Sequence, residues 1–211
     1  TIIGAMIIAP LMIPIMGTAA GLVMGDMGRA GRSFLKVVGG VAGVIFFAWF
    51  ISSFLNFTVV SFTTNTAIIG RISPSLTDLA GALACGAAGA FAMSRSDVAD
   101  TLPGVAISIS LVPPLCVVGI GLSAGEWEVA SGAMLLFLTN FLSILLAGGG
   151  VFALLGLSKA SMADLKGSAR RNAFIVIGLG TLLVIVPLAM TSVSTGKAGY
   201  MQYNATQATQ E

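Results

Sequence analysis

The sequence predicts an all-α membrane protein of about six transmembrane helices, arranged as two three-helix repeats of inverted topology, with helices one and four broken by proline. Three observations carry this expectation. The chain is 56% hydrophobic and only 9% charged, whereas ordinary soluble domains carry about 25% charged residues. Its mean hydropathy is +1.01, and several apolar stretches approach or exceed the roughly 20 residues that cross a bilayer. Finally, Pro14 and Pro114 stand 100 residues apart, each at the centre of a long apolar run.

The apolar runs divide into spans at about 2–24, 37–59, 77–93, 104–123, 130–156 and 173–191. Span 1 opens on Gly4-Ala-Met and carries Pro10 and Pro14, and span 4 carries Pro113 and Pro114. Laid over each other without a gap, residues 4–25 and 104–125 agree at seven of 22 positions: Gly4/Gly104, Ile7/Ile107, Leu11/Leu111, Pro14/Pro114, Gly21/Gly121, Leu22/Leu122 and Gly25/Gly125. The alternative is chance likeness, since membrane helices tolerate both Gly and Pro. Span 3 is short and rich in small residues, which makes it the least complete crossing. Between spans 2 and 3, residues 60–77 form a polar connection with Asn65, Arg71 and the Ser73-Pro74-Ser75 turn signal. Residues 1–191 thus read as one polytopic domain, with repeat 1 at about 1–93 and repeat 2 at about 102–191. Residues 192–211 read as a mobile polar tail. Thr1 opens inside an apolar run with no basic segment before it, which suggests an excised part of a longer polypeptide rather than a signal peptide.

Lysine and arginine set the orientation. Arg29, Arg32, Lys36, Arg95, Lys159, Lys166, Arg170 and Arg171 fall in the connections after spans 1, 3 and 5, and only Arg71 and Lys197 fall on the other side. Loops 25–36, 94–103 and 157–172 are therefore expected in the cytoplasm. An odd number of spans per half turns the second repeat upside down relative to the first.

Proline lacks an N–H and clashes with the carbonyl four residues before it. Pro10 and Pro14 would free the carbonyls of Met6 and Pro10, and Pro113 and Pro114 those of Ile109 and Ser110. In hydrocarbon such carbonyls must face protein, water or an ion. Thr18, Ser108 and Ser110 add hydroxyls nearby. The same residues fit either a substrate or ion site at the midplane or two structural kinks. Asn140, near the middle of span 5, must face the bundle interior, as an interhelical hydrogen bond or as the polar lining of a pathway. Acidic residues lie only at span ends, and Asp78, opening span 3, serves either as an interfacial acid or as a helix cap. Ala82, Gly86 and Ala90 form a small-residue stripe for helix packing, within the chain or in a homo-oligomer.

Other chemistries lack their residues. The chain has no histidine, so no serine has an imidazole to activate it, and no metal-ligand cluster or cofactor motif is legible. Cys85 and Cys116 lie in predicted spans and read as small apolar residues. No basic cluster suits nucleic acid. The expected partners are the lipid bilayer, a second copy, and a small ion or metabolite; no enzymatic activity is expected.

Four segments in order, residues 4–12, 73–90, 102–115 and 136–140, resemble a prokaryotic membrane family catalogued as a domain of unknown function, number 389. The resemblance covers roughly residues 1–157 and fades beyond. It implies a polytopic protein of the prokaryotic inner membrane, often with a cytoplasmic N-terminal region and one further span before the Gly4-Ala-Met motif. It supplies no mechanism. Its motif positions correspond to Pro10, Pro14, Pro74, Asp78, Pro113, Pro114 and Asn140, while Ala67–Gly70 stands where members often carry an acid before the counterpart of Arg71. The leading expectation is a transporter or channel-like protein with a pathway between spans 1 and 4. The alternative is a non-transporting anchor or sensor domain of a longer protein.

Overall fold

The computed structural model describes residues 11–54, 70, 76–95 and 101–156. Five helices follow one another within them: α1 (Met12–Met24), α2 (Met27–Phe54), α3 (Leu76–Met93), α4 (Thr101–Ala124) and α5 (Trp127–Leu154). Among the described residues there is no strand. Met6, Pro10, the expected span at 173–191 and the tail lie outside them. Among the described residues three stretches are long and apolar enough to cross a membrane: α2, α5 and Gly104–Ala124 of α4. α1 and α3 are shorter apolar helices.

Two helical hairpins share one plan. α2 and α5 each have 28 residues, and every bound of α2 recurs in α5 after 100 residues. α1 ends at Met24 and α4 at Ala124, the same offset. Gly25 and Gly125 end these helices at φ 72° and 76°, a left-handed conformation in which a Cβ would be strained. Asp26 N–H donates to the Gly21 carbonyl at 2.9 Å, and Glu126 N–H donates to the Gly121 carbonyl at 2.9 Å. The close approach across the turn repeats as well. A Cβ on Gly21 would lie 2.7 Å from Ala30 N, and one on Gly121 would lie 3.1 Å from Ala130 N.

The second helix corrects the sequence reading. α2 begins at Met27 rather than near residue 37, so Arg29, Arg32 and Lys36 ride on its first turns instead of in a loop at 25–36. The cause is a helix start already available at Asp26. Its carboxylate accepts the Arg29 N–H at 2.9 Å, satisfying a donor that the first turn leaves open.

The expectation of a proline-broken fourth helix is also corrected, whereas the course of the first span through Pro10 lies outside the described residues. α4 runs unbroken through Pro113 and Pro114. Both prolines are packed in the buried middle of α4, where neighbouring helices hold the backbone on its helical path. Pro14 lies in the first turn of α1, whose first described bond runs from Ile15 N–H to the Leu11 carbonyl at 3.1 Å. A missing N–H in a first turn disrupts no bond inside α1.

α4 is apolar on every side, and it is buried accordingly. Ile107, Leu111, Val112 and Leu115 are fully buried, in a core shared with Ile15 and Met16 of α1 and Ile144 of α5. The long arms cross over: α2 packs along α4, and α5 along α1. Gly119 of α4 faces Ala48 and Trp49 of α2, while Gly148 and Gly149 of α5 face Met16 and Val23 of α1. A 2.6 Å hydrogen bond from the Ser123 hydroxyl to the Ser52 hydroxyl ties α4 to α2. The outer face of α2 carries exposed Phe46, Phe50 and Phe54, stacked at centroid distances of 6.2 and 6.1 Å.

Candidate functional site

The first half of α4 meets α3 and α5 at a cavity of about 370 Å³. Each helix contributes a stripe at the three- or four-residue spacing that keeps side chains on one face. α4 supplies Ala106, Ile109, Ser110 and Pro114; α3 supplies Thr77, Asp78, Gly81 and Cys85; α5 supplies Leu136 and Asn140. Gly70 completes the described lining. From Asp78 to Cys85 the α3 wall runs about 10 Å at 1.5 Å per residue. Gly81 keeps the space open, for a Cβ built there would meet nothing within 4 Å.

The polar centre is a proline effect. Pro114 has no N–H to give the Ser110 carbonyl four residues earlier, as any other residue would. Asn140 replaces that donor from the neighbouring helix: its Nδ2 donates to the Ser110 carbonyl at 3.1 Å. This bond fixes the amide's orientation, because a flipped side chain would set its oxygen against the carbonyl oxygen. Asn140 is only 3% exposed, and its Oδ1 is buried with no hydrogen-bond partner among the described residues. An unmet buried acceptor of this kind costs about 1–3 kcal/mol. Pro113 likewise removes the helical donor for the Ile109 carbonyl, and Ile109 lines the cavity.

The residues singled out in the sequence divide into three groups. Asp78, Ile109, Ser110, Pro114 and Asn140 share the cavity wall. Thr18, Pro14, Ser108 and Pro113 are not on it. The Thr18 hydroxyl donates to the Pro14 carbonyl at 2.8 Å, a bond within one turn of α1. Ser108 and Pro113 are buried elsewhere on α4. No described wall residue comes from α1, so this cavity lies among α3, α4 and α5 rather than between the two proline helices. Met6 and Pro10 lie outside the described residues. Ala82, Gly86 and Ala90 are buried along α3, and Gly86 sits so close to α5 that a Cβ would come 2.6 Å from the Ile144 carbonyl oxygen.

Sequence reading missed Thr77, Gly81, Cys85, Ala106 and Leu136 as wall residues. The available signal was helical spacing, Ala106 and Leu136 four residues before Ser110 and Asn140, and Gly81 and Cys85 three and seven after Asp78, though it cannot say which face of an apolar helix meets a cavity. Asp78 is the third residue of α3, inside the first turn rather than before it. A carboxylate there complements the helix dipole. Among the described residues no group of three or more His, Cys, Asp or Glu could hold a metal ion.

Residues 6–146 match the family described as Domain of unknown function (DUF389). An uncharacterized protein of Methanocaldococcus jannaschii is 30% identical over 157 residues, covering 74% of this chain and 48% of that protein. The chain thus spans about half the length of the curated relative it matches. No solved structure matches it.

Proposed function

Because the chain belongs to the DUF389 family, whose description assigns no activity, we propose its function from the cavity: a membrane transporter or channel-like protein for a small ion or metabolite. The observation carrying this is the half-satisfied amide of Asn140 beside a carbonyl freed by proline, deep in an otherwise apolar bundle. A polar group inside an apolar helix bundle is tolerated where it meets a partner or lines a solute path. The cavity's volume lies at the lower end of the roughly 300–1,000 Å³ usual for small-molecule sites. Three helices long and apolar enough to span support the membrane setting, and the lysine and arginine distribution supports the cytoplasmic side given above. The paired hairpins at an offset of 100 residues support two inverted repeats. The exposed aromatic face of α2 suits lipid or a second copy. With no histidine in the chain, the reading remains non-enzymatic.

The test is flux. Vesicles containing the protein should pass small solutes that protein-free vesicles retain. Gly81→Leu, which fills the cavity from a position with free space around it, should cut that flux by roughly tenfold or more while the melting temperature holds. Unchanged flux in the filled variant would remove the cavity from the pathway. A second reading, an anchor or sensor domain in a longer protein, is favoured by the relative of which the match covers only 48%. It requires no flux with any solute.

A further inference from the structure

Resting on the membrane setting proposed above, and independently of the cavity, we infer that the outer face of α2 seats an anionic phospholipid of the cytoplasmic leaflet. One stripe of that face reads, from its N-terminal end, Arg32, Lys36, Gly39, Gly43, Phe47 and Phe50. Steps of three and four residues keep all six on one side of the helix. Gly43 is half-buried and the others are exposed, Phe47 to 64%. Cations thus give way to bare backbone and then to aromatic rings. A Cβ at Gly39 or Gly43 would meet nothing within 4 Å, so the stripe dips between Lys36 and Phe47. Only 6% of the apolar stretch of α2 is buried, against 56% for α5.

Charge names the headgroup. Arg29, one turn earlier, is offset by Asp26 at 3.5 Å, but among the described residues Arg32 and Lys36 have no ion-pair partner. The other connections expected on that side, residues 94–103 and 157–172, hold five Lys or Arg against three Asp, so they bring no acidic excess. In the second hairpin the matching positions are Gly132 and Leu136. The cationic end is therefore particular to α2 and no demand of the shared plan. Length names the leaflet. From Lys36 to Phe47 the helix rises about 16 Å at 1.5 Å per residue, half of a hydrocarbon core of about 30 Å. Arg32 and Lys36 reach the headgroup level on their apolar stems, and an acyl chain laid along Gly39 and Gly43 ends against Phe47. A second copy of the chain fits less well. Gly39 and Gly43 have the spacing at which membrane helices pair, yet two copies in one membrane would set these cations against their like.

Brominated lipids quench tryptophan on contact, which supplies the test. In the full chain Trp49 and Trp127, its two tryptophans, are replaced by Phe, and Phe47→Trp places one fluorophore on the stripe. The protein is reconstituted into mixtures of phosphatidylcholine and phosphatidylglycerol, with one or the other brominated. The anionic lipid should be preferred about tenfold at this position. Leu138→Trp, at an exposed position of α5, should show no preference. Arg32→Gln and Lys36→Gln should each cut the preference about threefold and together abolish it, whereas Arg32→Lys should keep it. Gly43→Leu fills the dip without changing any charge, and it should cut the preference too. A diffuse cloud of anionic lipid around a charged helix end would not respond to it.

Equal quenching by the two lipids at Phe47→Trp, or a preference that survives the double Gln variant, would overturn the inference and leave the membrane setting standing. Quenching by neither lipid at that position alone would also overturn it, and a disulfide between copies at Gly43→Cys would then give the stripe to a second copy. No quenching at Phe47→Trp or at Leu138→Trp would end the inference and the membrane setting together.

Discussion

Where Pro114 withholds its N–H, the Ser110 carbonyl is left inside α4, and Asn140 reaches across from α5 to meet it at 3.1 Å. The two residues are therefore coupled through an atom that belongs to neither. Asn140→Leu should destabilise the folded protein by about 1–3 kcal/mol, since the carbonyl loses its donor. In a Pro114→Ala background the same carbonyl recovers its bond within α4, and the cost of Asn140→Leu should fall by at least half. Unfolding of the four proteins of this double-mutant cycle in detergent measures the difference. Equal costs in both backgrounds would show that the amide and the proline act separately. Sequence alone identified both residues, because a proline and an asparagine inside apolar runs are conspicuous. It could not pair them: which faces of α4 and α5 meet depends on the helices' rotation about their axes.

At the scale of helices, small residues decide how closely the backbones approach. Gly86 on α3 and Gly119 on α4 each lie where a Cβ would come 2.6 Å from a neighbouring helix, at Ile144 O and at Ala48 Cβ respectively. Gly81, one turn before Gly86 on the same helix, has no such neighbour. Alanine at 86 or 119 should thus cost about 1–3 kcal/mol through forced separation of packed helices, visible as a lower melting temperature. Alanine at 81 should leave it unchanged or slightly higher, as alanine favours the helix. A uniform response of all three would mean that the approach distances do not control stability. The small-residue stripe was legible in sequence, whereas its partner was not. The hairpin turns were legible too: Gly21, Leu22 and Gly25 recur at 121, 122 and 125. What misled the reading of α2 was the cluster Arg29, Arg32 and Lys36, taken as loop because it is charged. Those side chains are exposed on the helix's first turns, where polarity says nothing about backbone conformation.

Across the whole molecule, each hairpin's long helix lies on the other hairpin's short one, α2 on α4 and α5 on α1. Such an exchange is expected when two like units are related by a twofold axis. Composition and spacing made the long apolar helices and the doubled hairpin plan legible. The cavity's place among α3, α4 and α5 was not, since it depends on how the two units close on each other. If the units are inverted across a bilayer, the turn before Met27 and the turn before Trp127 must face opposite sides. Both residues are accessible, 46% and 73% exposed, and they occupy matching positions after the two turns. In a protein with Cys85 and Cys116 replaced by alanine, single cysteines at these positions report their side to a membrane-impermeant thiol reagent. Trp127→Cys should label on intact cells. Met27→Cys, close to Arg29, Arg32 and Lys36, should label only after permeabilisation if the cationic excess faces the cytoplasm, as we propose. Labelling of both from one face would dissolve the inversion and leave only a tandem likeness of hairpins. Labelling with the sides exchanged would preserve the inversion and overturn the orientation drawn from the charges.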